Sequence, residues 1–244
     1  MVFEERPPLR VVISDPKAGK LGKIVKVKVV GVDDESLEVK ESMKKTKDKE
    51  RTELPLAKVP PSLVKELQLD EVGVMTLRFW QEDKKINVPL KVIPDENVPD
   101  GTVHVHMELI GEVVGELEAE AEAFRAKAWQ IAVPEEVAIR LAGLEIGDVF
   151  DGDIIGKDYS GLRFKIRGGS DATGFPMHPG IPGSIKKKAL LSGPPGFRPR
   201  RKGERRRKTV RGRMIPDPRG ERRKTALAQL NVVIHYPEEG ESGE

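Results

Sequence analysis

Hydrophobic and polar positions change period repeatedly along this chain. Leu9 to Ser14 (LRVVIS) is a short apolar run that predicts a buried strand, and Asp15-Pro16 with Gly19 predicts the turn behind it. Lys23 to Val30 alternates, with Val25, Val27 and Val29 set against Lys26 and Lys28, as a half-buried strand does. Lys40 to Glu53 is mostly charged and predicts an exposed loop. Leu162–Arg167, Ile185–Leu191 and Leu227–Ile234 read as three further strands, and Pro237–Glu244 as an acidic, frayed tail.

The middle of the chain repeats itself weakly. Leu56 to Phe79 and Trp129 to Gly152 each run strand, Val-Pro, short helix, Leu-rich exit and second strand, and Val98 to Ala128 is a fainter third copy. Pro60 and Pro134 stand where a helix can begin, because proline tolerates the first turn. Leu63 and Leu67, like Val137 and Leu141, are spaced to share one helical face. Repeated units of this kind predict small closed β-barrels capped by their helices. The Gly147-Asp148 step resembles the Gly-Asp box of cradle-loop barrels. The run from Glu116 to Glu122 alternates Glu with Leu or Ala and fits either an acidic exposed helix or an edge strand.

Charge changes the picture. The net charge of +3 divides unevenly: residues 157 to 231 carry twenty-one Lys/Arg and five Asp/Glu, and the rest of the chain is acidic. The density peaks between Arg198 and Arg213, where ten cations accompany one acid, Glu204. Such a run needs a polyanion, and the planar guanidinium matches phosphate oxygens. Nucleic acid is therefore the expected partner. In the bend before it, from Gly168 to Gly183, five Gly and three Pro occur. Gly168-Gly169 is expected to turn its N–H groups into an anion-binding nest. Phe175 is open to two readings, a platform for an exposed base or an anchor of the bend in a core.

Several chemistries are excluded. The chain has no cysteine, which removes disulfides, thiolate metal sites and cysteine nucleophiles. Gly19-Lys20 is not a phosphate loop, since Leu21 and Ser14 stand where Ser/Thr and Gly are required. His104 and His106 share a strand face but lack a third ligand within reach, so they read as a polar strand pair or a helix-entry pair rather than a metal site. No nucleophile–base pattern appears, and neither an enzyme nor a cofactor is expected. No apolar run approaches the roughly 20 residues that span a bilayer, and MVFEERPPLR lacks the pattern of a secretory signal. A soluble cytoplasmic protein without a membrane partner is expected. Charged residues at 34%, only seven Asn and Gln, and no cysteine suggest a thermophilic source.

Three ordered motifs, GGSDATGFPM (168–177), LLSGPPGFRP (190–199) and GERRRKTVRG (203–212), resemble small-subunit ribosomal protein number six of archaea and eukaryotes. VVISDPKAGK and GLEIGD resemble it too, so the likeness spans about Leu9–Gly19 and Ala126–Ile234. The resemblance implies a β-barrel core whose basic segment binds small-subunit ribosomal RNA. It carries Phe175, Phe197, Arg198, Arg200, Arg201, Arg205, Arg206, Arg207, Lys208 and Arg211 over as RNA-facing. The basic surroundings add Lys165, Arg167, His178, Lys186, Lys187, Lys188, Lys202, Arg213, Arg222 and Arg223.

The expected architecture is mainly β. Residues 1–20 and 126–236 form a barrel core with a basic arm at 192–226, and 21–125 form an inserted acidic barrel-like domain. The arm is expected to be held between strands Ile185–Leu191 and Leu227–Ile234 and to be mobile without RNA. Expected partners are small-subunit ribosomal RNA and neighbouring ribosomal proteins, not further copies of the chain. The residues alone also allow a free-standing barrel regulator bound to DNA or RNA. The phosphorylated C-terminal helix of eukaryotic members has no counterpart in PEEGESGE.

Overall fold

A computed structural model describes residues 8–44, 51–81, 84–220 and 226–236. The chain forms two compact units, one made of Asp15–Ile131 and the other of the residues before and after it. The boundaries expected from sequence fell after residue 20 and before residue 126.

The central unit begins with a capped helix. Asp15 accepts the Lys17 N–H at 2.9 Å, Pro16 opens α1 (Pro16–Leu21), and Gly22 ends it in the left-handed region. Six strands follow: β2 (Val25–Val32), β3 (Leu56–Val59), β4 (Val74–Gln81), β5 (Lys84–Pro94), β6 (Thr102–His106) and β7 (Glu118–Arg125). They close into a barrel in the order β2-β6-β3-β5-β4-β7. This ring maps onto itself when β2, β3 and β4 exchange with β5, β6 and β7, which matches the Leu56–Phe79 copy of the sequence repeat to the fainter Val98–Ala128 copy and leaves the Trp129–Gly152 copy outside the ring. Two helices belong to the repeats, α2 (Pro61–Glu66) after β3 and α3 (Met107–Val113) after β6. Leu63, Leu67 and Ile110 drop into the same buried cluster as Val29, Ala57, Leu77, Leu90 and Val103.

The Glu116–Glu122 question is settled in favour of a strand, and not an edge strand. β7 pairs with both β2 and β4. Ala121 and Ala123 face inward, while Glu120 and Glu122 lie opposite Lys28 and Lys26. His106 is the N-cap of α3, accepting the Glu108 N–H through Nδ1, which gives the histidine pair a structural end. The charged stretch Lys40–Glu53 folds a 3-10 turn at Glu41–Met43 with Met43 buried, and residues 45–50 lie outside the described residues.

Asp15 and Arg125, near the two ends of this unit, form a buried ion pair at 2.6 Å. Arg125 also donates to the Gln68 carbonyl at 2.5 Å. Burying a charge without such a partner is strongly unfavourable, so this pair fixes where the strands enter and leave.

The flanking unit is an open sheet. It contains β1 (Leu9–Ser14), β9 (Val149–Asp151), β10 (Arg163–Asp171) and β13 (Leu227–Ile234), with β8 (Ala128–Val133) at one edge, in the order β8-β1-β13-β10-β9. Leu9, Val11 and Ile13 of β1 face the core, as do Leu230, Val232 and Ile234 of β13. α4 (Glu135–Leu141) buries Val137, Ala138 and Leu141, the spacing expected from the sequence. The mainly β fold, the short helices and a closed barrel in the inserted segment are as expected; the barrel expected of residues 1–20 and 126–236 is corrected to this open sheet, and the ring that closes is the one formed within residues 25–125.

The remaining strands, β11 (Lys186–Leu191) and β12 (Arg206–Arg211), pair with each other as an antiparallel ribbon, and Arg211 at the end of β12 also bridges to Met177. This corrects the expected arm between two barrel strands. Part of the basic run is itself a strand, because cations separated by residues such as Thr209 and Val210 can alternate across a ribbon as readily as other polar residues.

Candidate nucleic-acid interface

The ribbon stands on a small apolar base. Ile181, Leu191, Phe197 and Val210 form one buried cluster with Ala189 against it. Phe197 is therefore corrected from an RNA-facing position to a core position: the loop 192–205 folds its ring inward and turns Arg198 outward. The tip is folded by its one acid. Glu204 accepts the Arg200 backbone N–H at 2.8 Å and the Arg206 Nε–H at 2.9 Å. The Arg200 N–H, helped by Arg206, holds the Glu204 carboxyl below its ordinary value. Glu204 thus shapes the loop and, paired with Arg206, offsets one of the cations around it. Arg198, Arg200, Arg201, Lys202, Arg205, Arg206, Arg207 and Lys208 are all exposed.

A second acid anchors the base. Asp171, at the end of β10, is buried and accepts the N–H groups of Thr173 and Phe175 and the Thr173 hydroxyl through Oδ1. Its other oxygen pairs with Lys186 at 2.5 Å and lies 3.9 Å from Arg211. Burial pushes the Asp171 carboxyl up, but Lys186, the Phe175 N–H and Thr173 outweigh it and leave the group below its ordinary value. Arg211 is only 1% exposed and donates to the Ser184 carbonyl at 3.0 Å. It is corrected from RNA-facing to a structural cation that ties β12 down. Lys186 is likewise engaged, with its ammonium over the Phe175 ring at 5.0 Å. The half-buried Phe175 ring is thus committed to the loop and to Lys186 on one side.

The glycine nest is also corrected. Gly168 and Gly169 continue β10, paired with Asn231 and Leu230 across a bulge, so their N–H groups do not converge on an anion. A Cβ on Gly169 would lie 2.4 Å from the Gln229 carbonyl oxygen, so close strand approach is what glycine serves here.

The other expected residues scatter more widely. Lys187 and Lys188 are exposed on β11, and Arg167 is exposed on β10, with Lys165 half-buried beside it. Arg213 pairs with Glu145 at 2.6 Å, and the His178 Nδ1 accepts the Gly180 N–H. Arg222 and Arg223 lie outside the described residues. Asp171 and Glu204 were missed as organisers; the signal for Asp171 was its place before Ala-Thr-Gly, where an aspartate folds a tight turn.

The fold and the ribbon together define a class: a two-unit β protein whose basic segment is displayed on a pinned hairpin. A family model described as Ribosomal protein S6e matches residues 121–242, and the chain belongs to that family. Small ribosomal subunit protein eS6 of Aeropyrum pernix is 64% identical over 98% of this chain and 99% of its own length. The proteins of that name from Hyperthermus butylicus and Staphylothermus marinus are 48% and 43% identical, over 95% and 93% of this chain and 98% of each relative. These alignments cover 93–98% of this chain, so most of the segment that forms the barrel here is aligned with them. The organisms include archaeal thermophiles, in line with the charge-rich, cysteine-free composition.

Proposed function

We propose that this chain is a structural constituent of the small ribosomal subunit, held there by small-subunit ribosomal RNA bound along its basic ribbon and tip. Membership of the family places it in the small subunit in the cytoplasm. The observation that carries the RNA reading is excess charge: eight exposed cations between Arg198 and Lys208 share one acid, Glu204, which pairs with Arg206 while it folds the tip. Arg167, Lys187 and Lys188 extend the positive surface. RNA and neighbouring ribosomal proteins, rather than copies of the chain, complete its surroundings, and the role involves no reaction.

Each cation that neutralises a phosphate releases a counterion and adds about 0.7 to 0.9 to the salt slope of binding. Full engagement of the eight exposed cations gives a slope of roughly six to seven. Titration of the full chain against a folded small-subunit RNA fragment over a salt series measures this. Gradient sedimentation of cell extract measures the placement. A flat salt dependence would remove the RNA role of the ribbon, and absence from the small-subunit fraction would remove the whole reading.

A further inference from the structure

The outward face of the ribbon carries an apolar residue that charge does not explain. Directly opposed residues of an antiparallel pair share a face. The register therefore puts Lys187, Ala189, Leu191, Arg206, Lys208 and Val210 on one side and Lys186, Lys188, Leu190, Arg207, Thr209 and Arg211 on the other. The first side covers the cluster of Ile181 and Phe197. The second is turned away from it; its Lys186–Arg211 end is tied to Asp171, and at the open end Leu190 is 60% exposed. Its cross-strand neighbour is Arg207 and its same-face neighbour along the strand is Lys188, both exposed. Thr209, half-buried, lies opposite Lys188.

Whatever covers Leu190 must be apolar at the point of contact and anionic a few ångströms to either side. An apolar protein surface meets the first condition and leaves Lys188 and Arg207 desolvated without partners. A row of riboses between two phosphate rows meets both. The minor groove of an A-form RNA helix is wide and shallow, displays the sugars with their 2′-hydroxyls, and is bounded by phosphates. We propose that the outward face of the ribbon lies on the minor groove of an RNA helix, with Leu190 packed on riboses. Thr209 meets a 2′-hydroxyl, and Lys188 and Arg207 reach the flanking phosphates. This rests on the RNA-binding reading above and names the form of RNA that the ribbon takes.

The test is fluorescence anisotropy of the full chain with an RNA duplex and with a DNA duplex of the same sequence, each over a salt series. Leu190→Ser is expected to weaken RNA-duplex binding roughly tenfold at every salt concentration, the loss of a partly buried leucine, with the slope unchanged. Leu190→Met is expected to restore most of that loss. Arg207→Gln is expected to lower the slope by about one. On the DNA duplex, whose minor groove is narrow and lacks the 2′-hydroxyl, Leu190→Ser is expected to change little. Thermal unfolding at the wild-type midpoint verifies that the exposed substitution leaves the fold intact. Thr209→Val reads the same face independently through its hydroxyl and is expected to weaken RNA binding selectively. Wild-type affinity in both Leu190→Ser and Thr209→Val, or equal weakening on RNA and DNA, would overturn the minor-groove contact alone. Failure of the wild-type chain to bind any RNA would overturn the RNA reading with it.

Discussion

At the scale of single residues, the geometry of the ribbon depends on groups that never meet its ligand. Gly212 follows β12 immediately, and a Cβ there would sit 1.8 Å from the Gly183 carbonyl oxygen. The obstructing atom is backbone, held by the Met214 N–H that donates to it, so it cannot swing aside as a side chain would. Gly212→Ala is expected to destabilise this unit by about 3 kcal/mol, the upper end for overpacking, and to weaken RNA binding. Thermal unfolding and a binding titration of the variant measure both. Asp171 gives a pH prediction at the same scale. Its folded-state pKa lies below the ordinary value near 3.9. The stability its charge contributes is thus fully present above about pH 4 and is lost as pH falls through the lower folded value. Asp171→Asn removes that dependence, so the fall in thermal midpoint below about pH 4 should be shallower in the variant than in the wild type. An equally steep fall would show that other carboxylates govern the acid limb.

At the scale of elements, what was legible in the sequence was what local chemistry decides. β1 and β13 fall at Leu9–Ser14 and Leu227–Ile234, where the apolar runs put them. α2 and α4 begin after Pro60 and Pro134, because a prolyl residue sets the entry and the apolar spacing sets the buried face. What was not legible was pairing. Whether β12 forms depends on β11 lying beside it, and no property of Arg206–Arg211 announces that partner. Phe197 and Arg211 were misread for the same reason: an aromatic and a cation inside a basic run look alike whether they face solvent or a core. The Asp15–Arg125 pair is another long-range feature, with side-chain exposures of 0% and 2% and a separation of 110 positions. Arg125→Met leaves the Asp15 carboxylate buried without its partner and is expected to cost about 3–5 kcal/mol. Adding Asp15→Asn removes the stranded charge and should recover at least half of the loss. Denaturant unfolding of the single and double variants measures it, and a double variant as unstable as the single would show that the pair acts through packing instead.

At the scale of the whole molecule, charge and fold divide along the same line. Residues 15–131 hold nineteen Lys/Arg and twenty-three Asp/Glu, a net of −4, and the rest of the chain has a net of +7. The negative part owns a closed barrel, whose six strands leave no unpaired edge, and a core of its own. Asp15 and Arg125 fasten the two ends of the barrel segment. An excised Asp15–Ile131 fragment is therefore expected to unfold in one cooperative transition. The same fragment is expected to leave RNA unbound at salt concentrations where the full chain binds, because the exposed cations of the ribbon are absent and its own Lys26 and Lys28 already face Glu122 and Glu120. Calorimetry and an RNA titration of the fragment measure the two expectations separately. RNA binding by the fragment with a steep salt slope would mean that the barrel, and not only the ribbon, is a phosphate-binding surface. A folded, non-binding fragment would assign the barrel a task that polyanion attraction does not supply, such as packing against a protein neighbour.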